Sequence, residues 1–179
     1  MKKQILITIG ILILLNSCKQ NESKKTEVKT TVESIKVTPE NPVVSDSFLV
    51  NDSLVFVLAS ELEKVALNKK FVVLKKPIKN RHVENLIDTI VTRTFENTKL
   101  ESYKVPSEEW IYKAIIENSD FELNDFIKVG TKKYVVEKSL AIRIHTDILK
   151  IGNIEQTNVF ILKFESGNLK IIEFDGYLD

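Results

Sequence analysis

Few side chains in this 179-residue sequence have both the type and the spacing that chemistry requires. It holds one Cys and two His, and the histidines, His82 and His145, stand 63 positions apart. A closed zinc site wants four ligands, so this pair makes no metal site by itself. A Ser-His-Asp arrangement would have to recruit His82 or His145, and neither neighbours a Gly-x-Ser-x-Gly elbow. His82 follows Asn80 and Arg81 in a polar stretch that reads as loop. His145 lies between Ile144 and Thr146 and reads as a surface position of a strand, on the polar side with Arg143 and Asp147. Carboxylate pairs for general acid–base work can be drawn from Asp88, Glu173, Asp175 or Asp179. Such work needs a raised pKa in a cleft, which no sequence displays. No phosphate loop, dinucleotide fingerprint or EF-hand is present, and 5 Gly leave little for Gly-rich loops, so neither cofactor nor metal is called for.

Charge excludes further classes. Lys plus Arg number 26 against 25 Asp plus Glu, a formal net charge of +1 with no electrostatic case for nucleic acid. A lone Cys makes no internal disulfide or multi-cysteine metal site. Its setting is informative instead. Lys2 and Lys3 precede an apolar run at 5–15, too short to span a bilayer but of the length of a secretory h-region. The run ends in Leu15-Asn16-Ser17-Cys18, which resembles the lipobox of bacterial lipoproteins; Leu15, Ser17 and Cys18 match, and Asn16 stands where Ala, Ser or Thr is usual. The resemblance implies cleavage between Ser17 and Cys18, a diacylglycerol thioether on Cys18, and acylation of the new amino group. Each buried CH₂ contributes ~0.8 kcal/mol, and two or more chains anchor stably. Cleavage would leave 162 residues and a formal charge of −1. The folded part would then contain no thiol, which suits an oxidising envelope compartment but leaves no disulfide to hold the fold. By the same resemblance, Lys19 after the Cys, where some lipoproteins carry an inner-membrane-retaining Asp, implies the outer membrane before the inner. Glu22 is the one acid close behind the Cys, which favours a periplasmic face over the cell surface.

Residues 19–47 carry five Lys, five acids and no aromatic. Such a segment buries too little apolar area to offset ordering and reads as a flexible tether, with a coil span of roughly 30 Å. The organisation expected is therefore signal peptide at 1–17, lipidated Cys and tether at 18–47, and one domain at 48–179.

Within that domain, Leu54, Val57, Leu58, Leu62 and Val65 recur at helical spacing behind Asp52 or Ser53 as N-cap. A strand over 54–58 is the alternative. Residues 71–74 form a short β-type run stopped before Pro77. Residues 86–95 and 99–105, joined by Glu96-Asn97-Thr98, read as a hairpin. Beyond Pro106, Ser107 is placed to cap a helix with Trp110, Ile111, Ala114 and Ile115 on one stripe. An extended segment at 121–129 leads to Gly130 and to Thr131, the expected N-cap of a helix at 132–140. Three β-type runs follow at 141–151, 154–165 and 169–174, with turns at Gly152-Asn153 and Ser166-Gly167-Asn168. The middle run is apolar on both faces, as a central strand would be. The fold class expected is α+β: an antiparallel sheet with helices packed on one face and a C-terminal meander.

The segment at 127–140, with Gly130, Thr131 and Val135 or Val136, and the hairpin at 164–169 are similar to small outer-membrane-assembly lipoproteins and β-lactamase-inhibitor-protein-like repeats. This chain differs in having a long β-rich region before the motif. The resemblance implies a non-catalytic, protein-binding module. Tyr177 and Leu178 are the candidate partner-binding residues, since aromatic anchors favour interface centres; the competing reading makes them the core-closing end of the last strand. Taken together, the sequence implies a lipid-anchored envelope protein that binds another envelope protein or ligand. An envelope hydrolase with a carboxylate or hydroxyl site, or an inhibitor or immunity lipoprotein, is the alternative. A deep polar cleft with two close carboxyls would mark the enzyme, and a shallow sheet face with exposed aromatics the binding module.

Overall fold

The computed structural model describes residues 48–178; Ser17, Cys18, the tether and Asp179 lie outside the described residues. The elements are β1 Phe48–Val50, α1 Asp52–Ala66, β2 Val72–Lys79, β3 Ile87–Phe95, β4 Thr98–Lys104, β5 Glu109–Ile116, α2 Lys133–Leu140, β6 Ile148–Gly152, β7 Asn158–Glu165 and β8 Asn168–Gly176. All eight strands join one sheet in the order β1-β6-β7-β8-β5-β4-β3-β2. Every pairing is antiparallel except β1 with β6. Both helices pack on the same sheet face: Val55, Leu58, Leu62 and Val136 share one core with Leu100, Ala114, Leu149, Ile151, Phe160, Leu162, Ile172 and Phe174. This is the α+β architecture expected.

Helix α1 starts one residue before the expected cap. Asn51 Oδ1 accepts from the Leu54 N–H at 2.9 Å, satisfying one of the donors that a helix start leaves open. Asp52, freed from capping, accepts from the Ile154 N–H at 2.9 Å. The buried stripe is Val55, Leu58 and Leu62, while Val57 is exposed. The strand alternative for 54–58 is overturned.

Strand β2 runs through Pro77, where the sequence pattern alone would stop it. Among the described residues β2 pairs only with β3 and is a sheet edge, so the missing Pro77 N–H costs no ladder bond. The β3–β4 hairpin forms as expected, with Glu96 at φ +49° in its turn. Residues 109–116 form a strand, not the helix expected from Ser107. Trp, Ile and Tyr favour a pleated surface, β4 and β8 offer ladders on both sides, and Ala114 and Ile116 enter the core at a period of two. The turn before it closes through the Val105 N–H on the Glu108 carbonyl at 3.0 Å.

Helix α2 takes Lys132, not Thr131, as N-cap, with no side-chain cap bond. The Thr131 backbone is committed elsewhere, its N–H to Lys128 and its carbonyl to the Leu169 N–H. The Gly167 carbonyl receives the Lys133 N–H at 2.9 Å, so the β7–β8 turn serves the helix start. Residues 121–129 make an isolated bridge, Glu122 with Lys128, instead of a strand, but bury Phe121, Leu123 and Ile127. The expected strand at 141–151 is shorter: Ala141 closes α2 at φ +52° and β6 begins only at Ile148. A five-residue loop at 153–157, not a tight turn, joins β6 to β7, which starts at Asn158 instead of Ile154. Strand β7 is interior, as its two apolar faces suggested, and its outer side chains Val159 and Ile161 remain half-buried. The β7–β8 turn has Ser166 at φ +49° and Gly167 at φ +73°, the pattern of a type I′ hairpin.

Candidate functional site

Both helices are on one side, and among the described residues no helix covers the other sheet face. Across β1, β6, β7 and β8 this face presents Phe48, Lys150, Val159, Ile161, Lys163, Glu173 and Asp175, as the register dictates. At the end of the sheet near the 153–157 loop it sinks into an open groove of about 590 Å³. Phe48 lines one flank, Tyr177 and Asp175 the other, and Val159 and Ile161 form the floor. Three strand spacings separate β1 from β8, which at ~4.8 Å each makes the flanks about 14 Å apart.

The groove follows from local chemistry. Phe48 lies across Gly152: a Cβ at Gly152 would stand 2.6 Å from the Phe48 ring. Only the absent side chain lets the ring rest on β6. Asn153 organises the loop, accepting from the Asn158 N–H at 3.0 Å and donating to Thr157 Oγ1 at 2.8 Å. The Thr157 carbonyl accepts the Tyr177 N–H at 2.7 Å, which continues the chain beyond β8 along the groove wall. Asp52 ties the same loop to the start of α1. The charged side chains lining the groove are Lys150, Glu155 and Asp175, and a Lys163–Glu173 pair at 2.6 Å shares the face.

Of the acids that the sequence offers for catalysis, Glu173 and Asp175 stand two residues apart on the same face of β8, and Asp88 is remote from both. Asp175 lines the groove, Glu173 is paired with Lys163, and Asp88 is on β3, with β4 and β5 between it and β8. Asp88 is 1% exposed. One of its oxygens accepts from Asn80 Nδ2 at 2.6 Å and from the Tyr103 hydroxyl, while Oδ1 has no hydrogen-bond partner among the described residues. Donation to Asp88 is the main cause that raises the Tyr103 pKa, with desolvation next. His82 is exposed in the loop after β2, as expected; His145 is exposed too, but on irregular chain before β6 instead of on a strand. Among the described residues, no group of three or more His, Cys, Asp or Glu is placed to hold a metal ion. Leu178 is exposed but does not line the groove, so only Tyr177 of the candidate pair does.

A second cluster has no counterpart among the residues that the sequence singles out. Ser102, fully buried, donates to Glu109 Oε1 at 2.6 Å and accepts from Arg93 at 2.7 Å. Arg93 also pairs with Glu109 at 2.7 Å, and Lys104 reaches its other oxygen at 3.3 Å. Burial pushes the Glu109 carboxyl up, but Ser102, Arg93 and Lys104 together outweigh it and hold the pKa below the ordinary value. A hydroxyl beside a carboxylate is an arrangement that can activate a nucleophile. Here the hydroxyl has no exposed surface and the carboxylate is a weakened base, so the cluster joins β3, β4 and β5 structurally. Its signal, alternation that puts polar residues inside a strand, is visible only once β5 is known to be a strand.

Comparison with protein-family models, with curated proteins and with solved structures gave no match.

Proposed function

We propose that this chain is a lipid-anchored cell-envelope protein, held by Cys18 at the outer membrane with its domain on the periplasmic side. The domain binds a segment of another envelope protein, without catalysis, in the groove on the sheet face opposite the helices. The observation that supports this reading is the groove itself: shallow, apolar on its floor, flanked by Phe48 and Tyr177 and rimmed by Lys150, Glu155 and Asp175. An aromatic flank over an aliphatic floor inside a charged rim is the composition of an interface centre. The resemblance at residues 127–140 points to the same class.

Two measurements test it. Radiolabelled palmitate enters the wild-type protein and not Cys18→Ala; equal labelling removes the anchor. A photo-crosslinking residue at position 150, in the groove, captures a discrete envelope protein in intact cells, while one at position 138 on α2 does not. Identical products from both positions would refute the groove.

A further inference from the structure

The far edge of the sheet carries a separate surface. Residues 69–83 hold five Lys and one Arg and no acid, whereas the rest of 48–179 holds 13 basic and 20 acidic residues. A domain of formal charge −1 thus concentrates six cations in one segment. The fold places that segment on strand β2 and its two flanks. Lys69, Lys70, Lys75, Lys76, Lys79 and Arg81 are all exposed. Lys70 pairs with Asp120, but Lys69, Lys75, Lys76 and Lys79 have no acidic partner among the described residues.

Apolar side chains accompany the cations. Val72 is 72% exposed, Leu74 67% and Val73 50%, and Val83 and Ile87 next to the strand are also exposed. Strand β2 itself contributes no side chain to the core, so the ribbon projects past the covering helices. By register, Val72, Leu74 and Lys76 are on one face of this ribbon and Val73, Lys75 and Lys79 on the other. Apolar and cationic groups therefore surround the rim.

Edge lysines and an edge proline also guard a sheet against strand addition. That role accounts for Lys75, Lys76 and Pro77. It leaves Val72, Val73 and Leu74 unexplained, because guarding by charge and proline requires no exposed apolar side chains. A strand partner needs an unbroken donor row and side chains sorted by face; Pro77 interrupts the row. A lipid surface needs neither. It takes cations and apolar groups from all sides of a projecting rim, with headgroup phosphates meeting the lysines and the interface receiving Val72, Val73 and Leu74.

The geometry points to the β2 edge, from Lys69 to Arg81, as a docking surface for an anionic lipid membrane. It is independent of Cys18 and of the groove, which is at the opposite end of the strand order.

The test uses a chain that begins at Lys19, which lacks the apolar segment and Cys18 but keeps every core residue among the described residues. The probe is flotation with vesicles of phosphatidylcholine containing phosphatidylglycerol, against phosphatidylcholine alone, with circular dichroism of each variant as control. The wild type floats with anionic vesicles only, and raising the salt releases it. Lys75→Glu/Lys76→Glu/Lys79→Glu weakens binding at least about 100-fold, from the attraction of each surface cation to an anionic leaflet. Val72→Ser/Leu74→Ser weakens it at unchanged charge, and Lys138→Glu on α2 leaves it within about twofold. Absence of flotation by the wild type, or equal flotation by the Lys→Glu triple variant, overturns the proposal. So does self-association through β2 that the same triple variant abolishes while flotation stays unchanged. Failure of palmitate labelling at Cys18 would leave this result untouched, so the two readings fail separately.

Discussion

Tyr177 and Phe174 lie three residues apart in the same C-terminal segment and should respond to truncation in opposite ways. Tyr177 is 65% exposed and Phe174 3%. An aromatic side chain carries about 200 Å², so roughly a third of that, some 70 Å², is buried at Tyr177. At ~25 cal/mol per Å² that burial is worth about 1.7 kcal/mol, and less against a compact unfolded chain. Its backbone bond to Thr157 survives the truncation. Tyr177→Ala should therefore lower the thermal midpoint by about 4 °C. Phe174→Ala removes a ring packed 4.7 Å from that of Phe160 and should cost ~3–5 kcal/mol, a drop above about 10 °C.

Binding should show the reverse order. A hot-spot aromatic is worth at least ~2 kcal/mol, about a 30-fold loss of affinity. The assay pairs thermal melts by circular dichroism with crosslinking yield from position 150 as the concentration of the captured partner is varied. A midpoint for Tyr177→Ala as low as that of Phe174→Ala would show that Tyr177 closes the core. Capture within about twofold of wild type would show that the groove does not use it.

Four further outcomes are expected. Gly152→Ala drives a methyl into the Phe48 ring, so it should destabilise by about 1–2 kcal/mol, and Phe48→Ala in the same chain should relieve part of that, a coupling that denaturant titration of the four chains measures. Asn51→Ala should cost ~1 kcal/mol through loss of the α1 cap; an unchanged midpoint would mean that another group caps the helix. Ala141→Gly should stabilise by about 0.5–1 kcal/mol, because a left-handed residue at φ +52° suits Gly, and a lower midpoint would contradict that. Glu109 has its pKa lowered in the fold; its stabilisation is complete above the unfolded-state pKa and is lost as pH falls through the folded one, so Glu109→Gln should flatten the acid side of a midpoint-versus-pH curve, and an unchanged slope would refute the assignment.

What the sequence disclosed was mostly local. The hairpin around Glu96-Asn97 and the turn at Ser166-Gly167 are written in adjacent residues, and both are in the structure. Strand β5 was hidden because Trp110, Ile111, Ala114 and Ile115 fit a helical stripe, and only the ladders with β4 and β8 decide against it. Thr131 looked like a cap because nothing in its neighbourhood announces that Leu169 will claim its carbonyl. The groove was half legible. Tyr177 stands out as an aromatic near the chain end. Phe48 does not, since its role depends on a three-residue parallel pairing with a Gly 104 positions away. Asp88 was visible as an acid, but its burial beneath Asn80 and Tyr103 was not.

The two surfaces assigned to this sheet differ in the force they use, and ionic strength should separate them. The groove draws on Phe48, Val159, Ile161 and Tyr177, whose attraction to an apolar segment is insensitive to screening and is strengthened by excluded salts. The β2 edge draws on lysines that face solvent without acidic partners, and their attraction decays over a Debye length, ~10 Å at 0.1 M salt and ~3 Å at 1 M. Raising the salt from 0.1 to 1 M should therefore release the chain beginning at Lys19 from anionic vesicles, while crosslinking from position 150 to its partner persists. Parallel loss of both would mean that the groove also works by charge, through Lys150, Glu155 and Asp175. Persistence of both would mean that Val72, Val73 and Leu74, not the lysines, hold the edge to the vesicle.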